Sequence, residues 1–197
     1  MLSNFLAITF AASCLLFTGC ELVNKLVPEE ATVKSENEFT TYLIPEKGHF
    51  TSNNFGIVPA NKVKFLAKFD ESAQYVTIDP FNQADINKLY GFSDCSTDHQ
   101  SNSARFGWRW YNNQLEILAY TYVNQVRREK FITAVNLNQA YEYELAATDT
   151  TYVFKLNGRT VEMDRGCSGN SDKYKLFPYF GGDETAPHTI KIEIKEL

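Results

Sequence analysis

The feature of this sequence that most constrains its fold is a two-residue alternation of apolar and charged side chains. The segment Thr189–Lys195 reads TIKIEIK, which places three isoleucines on one face of an extended chain and charged side chains on the other. The segment Lys62–Phe69 alternates in a similar way. Because successive side chains of a β-strand point to opposite faces, both segments are predicted to be strands with one buried and one solvated face.

Turn residues between such segments favour antiparallel pairing. Asn157 and Gly158 separate the segments 152–156 and 159–163, and Asn-Gly is typical of the type I′ turn because both residues accept positive φ angles. The chain also contains 15 Phe and 11 Tyr, whose side chains favour strands. We therefore predict an all-β fold: an antiparallel two-sheet sandwich of about 10 to 12 short strands.

Four local predictions complete this outline. Gln74–Ile78 is expected to be a strand, and Tyr90–Ala104 is expected to be a polar loop. Leu115–Val123 is apolar on both faces and is predicted to be a central strand. Lys173–Phe180 contains a proline, so it is predicted to be an edge strand or irregular.

The first 20 residues have the composition of a targeting signal. They hold no charged side chain, and the apolar run at 5–17 is shorter than the ~20 residues that span a bilayer. The run leads into Leu-Phe-Thr-Gly-Cys at 16–20, which resembles the lipobox of bacterial lipoproteins. The resemblance implies a signal peptide at 1–19 and lipidation of Cys20. An ordinary secretory signal or an uncleaved anchor is the alternative.

The rest of the chain is predicted to divide into a tether and one domain. Residues 20–38 are polar and acidic with one proline, as expected for a flexible tether, and 39–197 hold all the predicted strands. The lipid would anchor the protein to a membrane of the cell envelope. We expect the outer membrane, with the domain facing the periplasm or the cell surface.

The four cysteines are predicted to have separate fates. Cys14 lies in the signal peptide and Cys20 in the lipobox, which leaves Cys95 and Cys167 as a pair in an oxidising compartment. We predict a disulfide between them, which would stabilise the domain by about 4 kcal/mol in the chain-entropy model. Two separate thiols are the alternative. The sequence contains no Cys-x-x-Cys, so a zinc site or a redox dithiol is not expected.

Charge and motifs exclude several classes of protein. The net charge is −5 and no basic stretch is present, so nucleic acid is not an expected partner. The sequence has no His-Glu-x-x-His, Gly-x-Ser-x-Gly or phosphate-binding glycine loop. Asp183 and Glu184 could donate oxygens to a calcium ion, but a solvated turn is the favoured interpretation. No metal or other cofactor is therefore predicted.

The segment Asn87–Tyr111 has the greatest density of chemically versatile side chains. Within it, Arg105–Tyr111 alternates, with Phe106, Trp108 and Trp110 on one face and two arginines on the other. One interpretation is an aromatic core face and a solvated arginine face. The other is that one face lines a concave surface, where guanidinium groups bind hydroxyls or a carboxylate. The candidate ligand-binding residues are His99, Arg105, Trp108, Arg109, Glu116, Tyr120 and Tyr122, with Asp94 and Asn102 at the border.

A sandwich with such a strip is similar to the concanavalin/jelly-roll superfamily of lectin-like and carbohydrate-active domains. The resemblance lies in architecture and residue character, and no diagnostic family motif is present. It implies an envelope lipoprotein whose domain binds a carbohydrate or another cell-surface ligand.

Two other functions stay open. A polysaccharide lyase would use Arg105 or Arg109 to neutralise a uronate and Tyr120 or His99 as the base, whereas a hydrolase would need a second carboxyl beside Glu116. A structural lipoprotein would instead bind another envelope protein, although the sequence indicates no particular protein partner.

Overall fold

The computed structural model describes residues 38–51 and 55–197. The predicted signal peptide, the lipidation of Cys20 and the tether up to residue 37 lie outside this part of the chain. Within it, the domain has eleven strands and two short 3-10 helices, at Glu71–Ala73 and Pro80–Ala84. The strands are β1 Thr40–Ile44, β2 Lys62–Phe69, β3 Asn87–Ser93, β4 Ser103–Tyr111, β5 Gln114–Val123, β6 Val126–Val135, β7 Tyr141–Ala147, β8 Thr151–Leu156, β9 Arg159–Asp164, β10 Lys175–Leu176 and β11 Ile190–Glu196.

The strands form two antiparallel sheets. The six-stranded sheet has the order β1-β11-β2-β7-β8-β9, and the five-stranded sheet has the order β10-β3-β4-β5-β6. Every neighbouring pair is antiparallel. The predicted all-β two-sheet sandwich is confirmed, as is the predicted number of strands. None of the helices in the described residues is long and apolar enough to cross a membrane.

An aromatic core holds the two sheets together. Phe65 of β2 stacks on Tyr143 of β7 at 5.0 Å between ring centroids. Phe106 of β4, in the other sheet, meets Tyr143 edge to face at 5.0 Å and Phe154 of β8 at 5.2 Å. Edge-to-face packing adds to the stabilisation from apolar burial, because the ring edge carries the opposite partial charge to the ring face. Alternate residues of β4 are therefore buried between the two sheets, and the other face of the strand points away from the core.

The predicted strand Gln74–Ile78 is wrong. This segment is a loop between the two 3-10 helices, and it is held by side chains instead of by a neighbouring strand. Gln83 Oε1 accepts the N–H of Thr77 at 2.9 Å, and the Glu184 carboxylate accepts those of Ile78 and Asp79 at 2.8 Å each. Because side chains satisfy these backbone donors, the loop needs no sheet partner.

The predicted loop Tyr90–Ala104 is wrong at both ends, since β3 runs to Ser93 and lies between β10 and β4, and β4 already begins at Ser103. A register shift between Lys88 and Gly91 interrupts the pairing with β4. Leu89 and Tyr90 are both buried in the core although they are adjacent in sequence. A bulge of this kind breaks the two-residue alternation, so a periodicity argument misses the strand.

The predicted disulfide between Cys95 and Cys167 is confirmed. It lies beside a buried polar cluster centred on Asp94, whose carboxylate accepts hydrogen bonds from Arg165 Nε at 2.7 Å and Tyr152 OH at 2.9 Å. Burial alone would raise the pKa of Asp94, but these hydrogen bonds hold it well below its ordinary value. Asp94 is therefore a structural residue and does not border a surface site, contrary to the prediction.

Candidate functional site

A groove of about 380 Å³ lies on the face of the five-stranded sheet that is turned away from the core. Strands β3, β4 and β5 and the loop before β4 supply its floor, and the segments around residues 50 and 179 supply a wall. Tyr179 pairs with Lys88 of β3, and Phe50 pairs in turn with Tyr179, which widens the sheet beyond β3. The lining residues are Phe50, Lys88, His99, Gln100, Arg105, Tyr120, Tyr122 and Tyr179.

The register between β4 and β5 places the central residues of the groove on one side of the sheet. Arg105 lies directly opposite Tyr120, and Ser103 lies opposite Tyr122. Directly opposed residues of antiparallel strands share a face. The Tyr120 and Tyr122 rings are 5.9 Å apart, and the Arg105 Cζ lies 5.5 Å from the Tyr120 ring centroid. The floor is therefore a guanidinium packed on aromatic rings.

Arg105 is a buried cation that forms no ion pair with any of the residues that the structure describes. The residue is only 8% exposed, and its Nε has no hydrogen-bond partner in the part of the chain that is described. Burial lowers the pKa of Arg105, and the neighbouring tyrosines 120, 122, 174 and 179 oppose this effect. The free energy of such a group is unfavourable unless an anion compensates it, because a buried charge has lost its hydration.

Lys88 places a second cation on the same aromatic floor. Its Nζ lies 5.2 Å from the Tyr120 ring centroid and 5.4 Å from that of Tyr179. Burial and the positive charge of Arg105 lower the pKa of Lys88 to about 8, and Asp85 opposes the shift. Cation–π contacts stabilise the charged form only partly, so the ammonium remains poised to take an anionic partner.

His99 lies at the rim of the groove, in the loop before β4. Its backbone N–H donates to the Tyr174 hydroxyl at 2.9 Å, and its ring Nδ1 lies 3.2 Å from the same oxygen. Burial and the charge of Arg105 lower the pKa of His99, while Asp98 opposes them. These surroundings favour the neutral imidazole over its charged form.

Three of the predicted ligand-binding residues lie outside the groove. Trp108 is fully buried in the core, 5.3 Å from the ring of Phe69, so the prediction that it contacts a ligand is wrong. Arg109 and Glu116 face each other across β4 and β5 and form an ion pair with 2.7 Å between Nε and Oε2. Their charges are compensated within the domain. The groove brings together the other four, His99, Arg105, Tyr120 and Tyr122.

The sequence interpretation missed four lining residues: Phe50, Lys88, Gln100 and Tyr179. Gln100 follows His99 directly, so it could have been predicted as the sequence neighbour of a candidate residue. Lys88 was not predicted because the bulge in β3 breaks the regular alternation by which a strand is recognised in the sequence. Nothing local in the sequence places residues 50 and 179 beside each other, because they meet only through the fold.

Two clusters outside the groove bear on metal binding. The oxygens and sulfurs of Asp94, Cys95 and Cys167 lie within 4.8 Å of one another, but the sulfurs are bonded to each other and Asp94 already accepts several hydrogen bonds. Glu184 accepts the N–H groups of residues 78 and 79 and also Nδ2 of Asn82 at 2.9 Å. Its carboxylate therefore fixes the loop at residues 78–82. Calcium binding at Asp183 and Glu184 stays the less favoured interpretation.

The fold and the groove together define a β-sandwich domain with a cationic, aromatic groove on its five-stranded sheet. None of the described residues that line this groove is an aspartate or a glutamate, whereas Lys88 and Arg105 are cations. The surface therefore differs in charge from the chain as a whole, which carries a net charge of −5.

Comparison with solved structures agrees with this class of fold. The alginate lyase AlyC3 matches with a TM-score of 0.54 and 12% sequence identity, covering 79% of this chain and 72% of that one. SCLam, a non-specific endo-β-1,3(4)-glucanase from family GH16, matches with a TM-score of 0.50 and 14% identity. This match covers 72% of the present chain and spans 59% of the glucanase. Both are jelly-roll sandwiches, so the predicted jelly-roll fold is confirmed.

At such identities the likeness is one of fold alone. No protein-family model matches the chain, and no curated protein matches its sequence. The chemistry of the groove therefore has to be argued from its own residues.

Proposed function

We propose that this domain binds an acidic polysaccharide in the groove on its five-stranded sheet. The observation that carries the proposal is Arg105, a buried guanidinium that faces the groove and has no carboxylate partner in the described part of the chain. A carboxylate on the ligand would supply the missing counterion, and guanidinium groups bind carboxylates through two parallel hydrogen bonds. Lys88 would add a second favourable charge.

The aromatic lining supports a sugar as the group that carries the carboxylate. Tyr120, Tyr122, Tyr179 and Phe50 offer ring faces or edges along the groove, and His99 and Gln100 offer hydrogen-bonding groups for hydroxyls. Pyranose rings present apolar C–H faces and polar edges, which suits a site of this mixed character. The alginate lyase and the glucanase that share the fold act, by their names, on polysaccharides, which supports a carbohydrate ligand.

We also propose that the protein is a lipid-anchored component of the cell envelope. The support is the motif Leu-Phe-Thr-Gly-Cys at 16–20, which resembles a lipobox. A lipid anchor would hold the groove close to surface or periplasmic glycans. Mass spectrometry of the mature protein is expected to find an acylated Cys20 at the N-terminus, and an unmodified Cys20 or cleavage elsewhere would refute the anchor.

The test of the binding site is calorimetric titration with oligomannuronate and oligogalacturonate, with cellohexaose as the neutral comparison. We expect the acidic oligosaccharides to bind and the neutral one to bind much more weakly. Replacing Arg105 by Met removes the charge but keeps much of the volume, and it should weaken acidic binding by roughly tenfold or more, as expected for a lost charge-assisted hydrogen bond. Its free energy of unfolding should stay the same or rise, because a buried unpaired charge is removed.

Arg109→Met is the matched control. It lies on the same face of the same strand but pairs with Glu116, so its loss should destabilise the fold and leave affinity unchanged. If no acidic oligosaccharide binds to the wild-type protein, or if Arg105→Met binds as tightly as wild type, the proposed function is wrong.

A polysaccharide lyase is the second candidate, and the grouping of Arg105 with His99 and two tyrosines favours it. A lyase neutralises the uronate carboxylate with a cation and removes the adjacent proton with a base. A hydrolase of the usual kind is less well supported, because it needs two carboxyl groups and no described lining residue has one. The same oligosaccharides decide the matter: a lyase would release unsaturated products that absorb in the ultraviolet, and a binding protein would not.

A further inference from the structure

We infer that Tyr174 holds the proton of His99 on Nε2, so that His99 presents a hydrogen-bond donor to the groove. Tyr174 would thus be a positioning residue for a group that selects acceptor atoms on the ligand. The role in recognition rests on the proposed function of the groove. The position of the proton does not, because it can be measured on the free protein.

The first step concerns the backbone N–H of His99. It donates to the Tyr174 hydroxyl oxygen at 2.9 Å. An amide N–H is only a donor, so the hydroxyl must be the acceptor in this bond. The hydroxyl keeps its own proton, which is free to donate elsewhere.

The second step concerns the ring of His99. Its Nδ1 lies 3.2 Å from the same hydroxyl oxygen. If Nδ1 carried the proton, the Tyr174 hydroxyl would receive two donors and its own proton would have no acceptor in the described part of the chain. If the hydroxyl donates to Nδ1, all three groups are satisfied. A neutral imidazole has one protonated nitrogen, so an accepting Nδ1 places the proton on Nε2.

Both partners of this contact are fixed by their own hydrogen bonds. Tyr174 N–H donates to Ser93 Oγ at 3.0 Å, and Ser93 N–H donates to the Tyr174 carbonyl at 3.0 Å, which locks the segment to the end of β3. Ser103 Oγ donates to the His99 carbonyl at 2.6 Å and ties the loop to the start of β4. The geometry that sets the tautomer is therefore part of the sheet framework and not of a free side chain.

The consequence is a groove whose polar head groups around Arg105 are mainly donors. The Nε2–H of His99 joins the Arg105 guanidinium and the Lys88 ammonium, and all three suit ligand atoms with lone pairs, such as carboxylate or ring oxygens. A neutral imidazole with its free nitrogen protonated cannot accept a proton from a sugar carbon. If the protein proves to be a lyase, the base would then be a tyrosine and not His99.

The test is nuclear magnetic resonance of the protein with 15N-labelled histidine at about pH 7, where long-range 1H–15N couplings identify the protonated nitrogen. We expect the Nε2–H pattern for His99, assigned by its absence from a His99→Gln variant. In Tyr174→Phe the pattern should shift toward a mixture with the Nδ1–H form, and affinity for acidic oligosaccharides should fall roughly fivefold, the size of one hydrogen bond.

Tyr179→Phe is the control. Tyr179 also lines the groove, but among the described residues its hydroxyl makes no hydrogen bond to His99 or Tyr174, so its loss should leave the His99 tautomer unchanged. An Nδ1–H or a charged His99 in the wild-type protein would overturn the inference even if Tyr174→Phe failed to fold. An Nε2–H pattern that shifts in Tyr174→Phe, in a protein that binds no acidic oligosaccharide, would support the role of Tyr174 in holding the proton, whereas an unchanged pattern in that variant would refute it. The absence of binding would refute its role in ligand recognition together with the proposed function.

Discussion

Arg105 and Arg109 lie on the same face of β4, yet their surroundings differ completely. Glu116 stands opposite Arg109 and neutralises it, with 2.7 Å between the paired atoms, whereas the ring of Tyr120 stands opposite Arg105. The identity of the residue across the strand decides whether the arginine is a structural partner or an uncompensated charge. That difference is why we place the ligand at Arg105.

Lys88 makes binding depend on pH. Its pKa in the free protein is lowered to about 8, with Arg105, Arg127 and Asp85 as the charged neighbours and two tyrosine rings in contact. We expect the affinity for acidic oligosaccharides to fall as the pH rises through about 8, because the ammonium loses its charge. Calorimetry from about pH 6 to about pH 9 measures this, and Lys88→Arg should flatten the profile.

Lys88 also makes the free energy of unfolding depend on pH, and the direction of this effect follows from its lowered pKa. Between about pH 8 and the ordinary lysine value of about 10.4, the unfolded chain binds a proton at Lys88 that the folded chain has released. The free energy of unfolding should therefore increase with pH across this window relative to a Lys88→Met variant.

The two predictions fail separately. If the affinity of the wild-type protein for acidic oligosaccharides does not change with pH, Lys88 does not contact the ligand.

At the scale of elements, the edge strand β6 lies beside β5 and extends the surface that forms the floor of the groove. Arg127 lies opposite Tyr122 and Glu129 lies opposite Tyr120, so both share the outer face of the sheet. Arg127 Nε lies 3.5 Å from Glu129 Oε2, in an exposed ion pair that compensates the arginine only weakly. The adjacent Arg128 points to the other face and pairs with Asp164 of β9 at 2.6 Å. Two neighbouring arginines thus offer the same charge on opposite sides of one strand.

This pair allows a matched test of how far the ligand extends. Arg127→Ala should weaken binding of long acidic oligosaccharides several-fold, since each charge near the ligand contributes on the order of 1 kcal/mol or less at the surface, and should hardly affect a disaccharide. Arg128→Ala should leave both affinities unchanged. Calorimetry over a series of chain lengths measures the effect, and equal losses in the two variants would mean only a general electrostatic attraction.

The elements also show where sequence patterns suffice. Strands β2 and β11 and the hairpin β8–β9 follow the predicted bounds closely, because regular alternation and an Asn-Gly turn are local signals. β3 was missed because its bulge places two successive residues in the core. Gln74–Ile78 was mistaken for a strand because side chains took the hydrogen bonds that a neighbouring strand would have taken.

At the scale of the whole molecule, the groove is cationic although the protein as a whole is acidic. The net charge of −5 would repel a polyanion at long range, whereas Lys88 and Arg105 attract it at short range. Such an arrangement favours recognition by close contact over long-range steering.

The sequence by itself determined the class of fold, the cysteine pair, and which residues share a face within each strand. These properties depend on local periodicity, on turn residues and on counting. Only the tertiary structure decided that Tyr120 and not a carboxylate stands opposite Arg105, and that residues 50 and 179 wall the groove. Register and contacts between distant segments depend on how the strands pair and pack. Four of the seven predicted residues therefore meet in the groove, while Trp108, Arg109 and Glu116 belong to the framework.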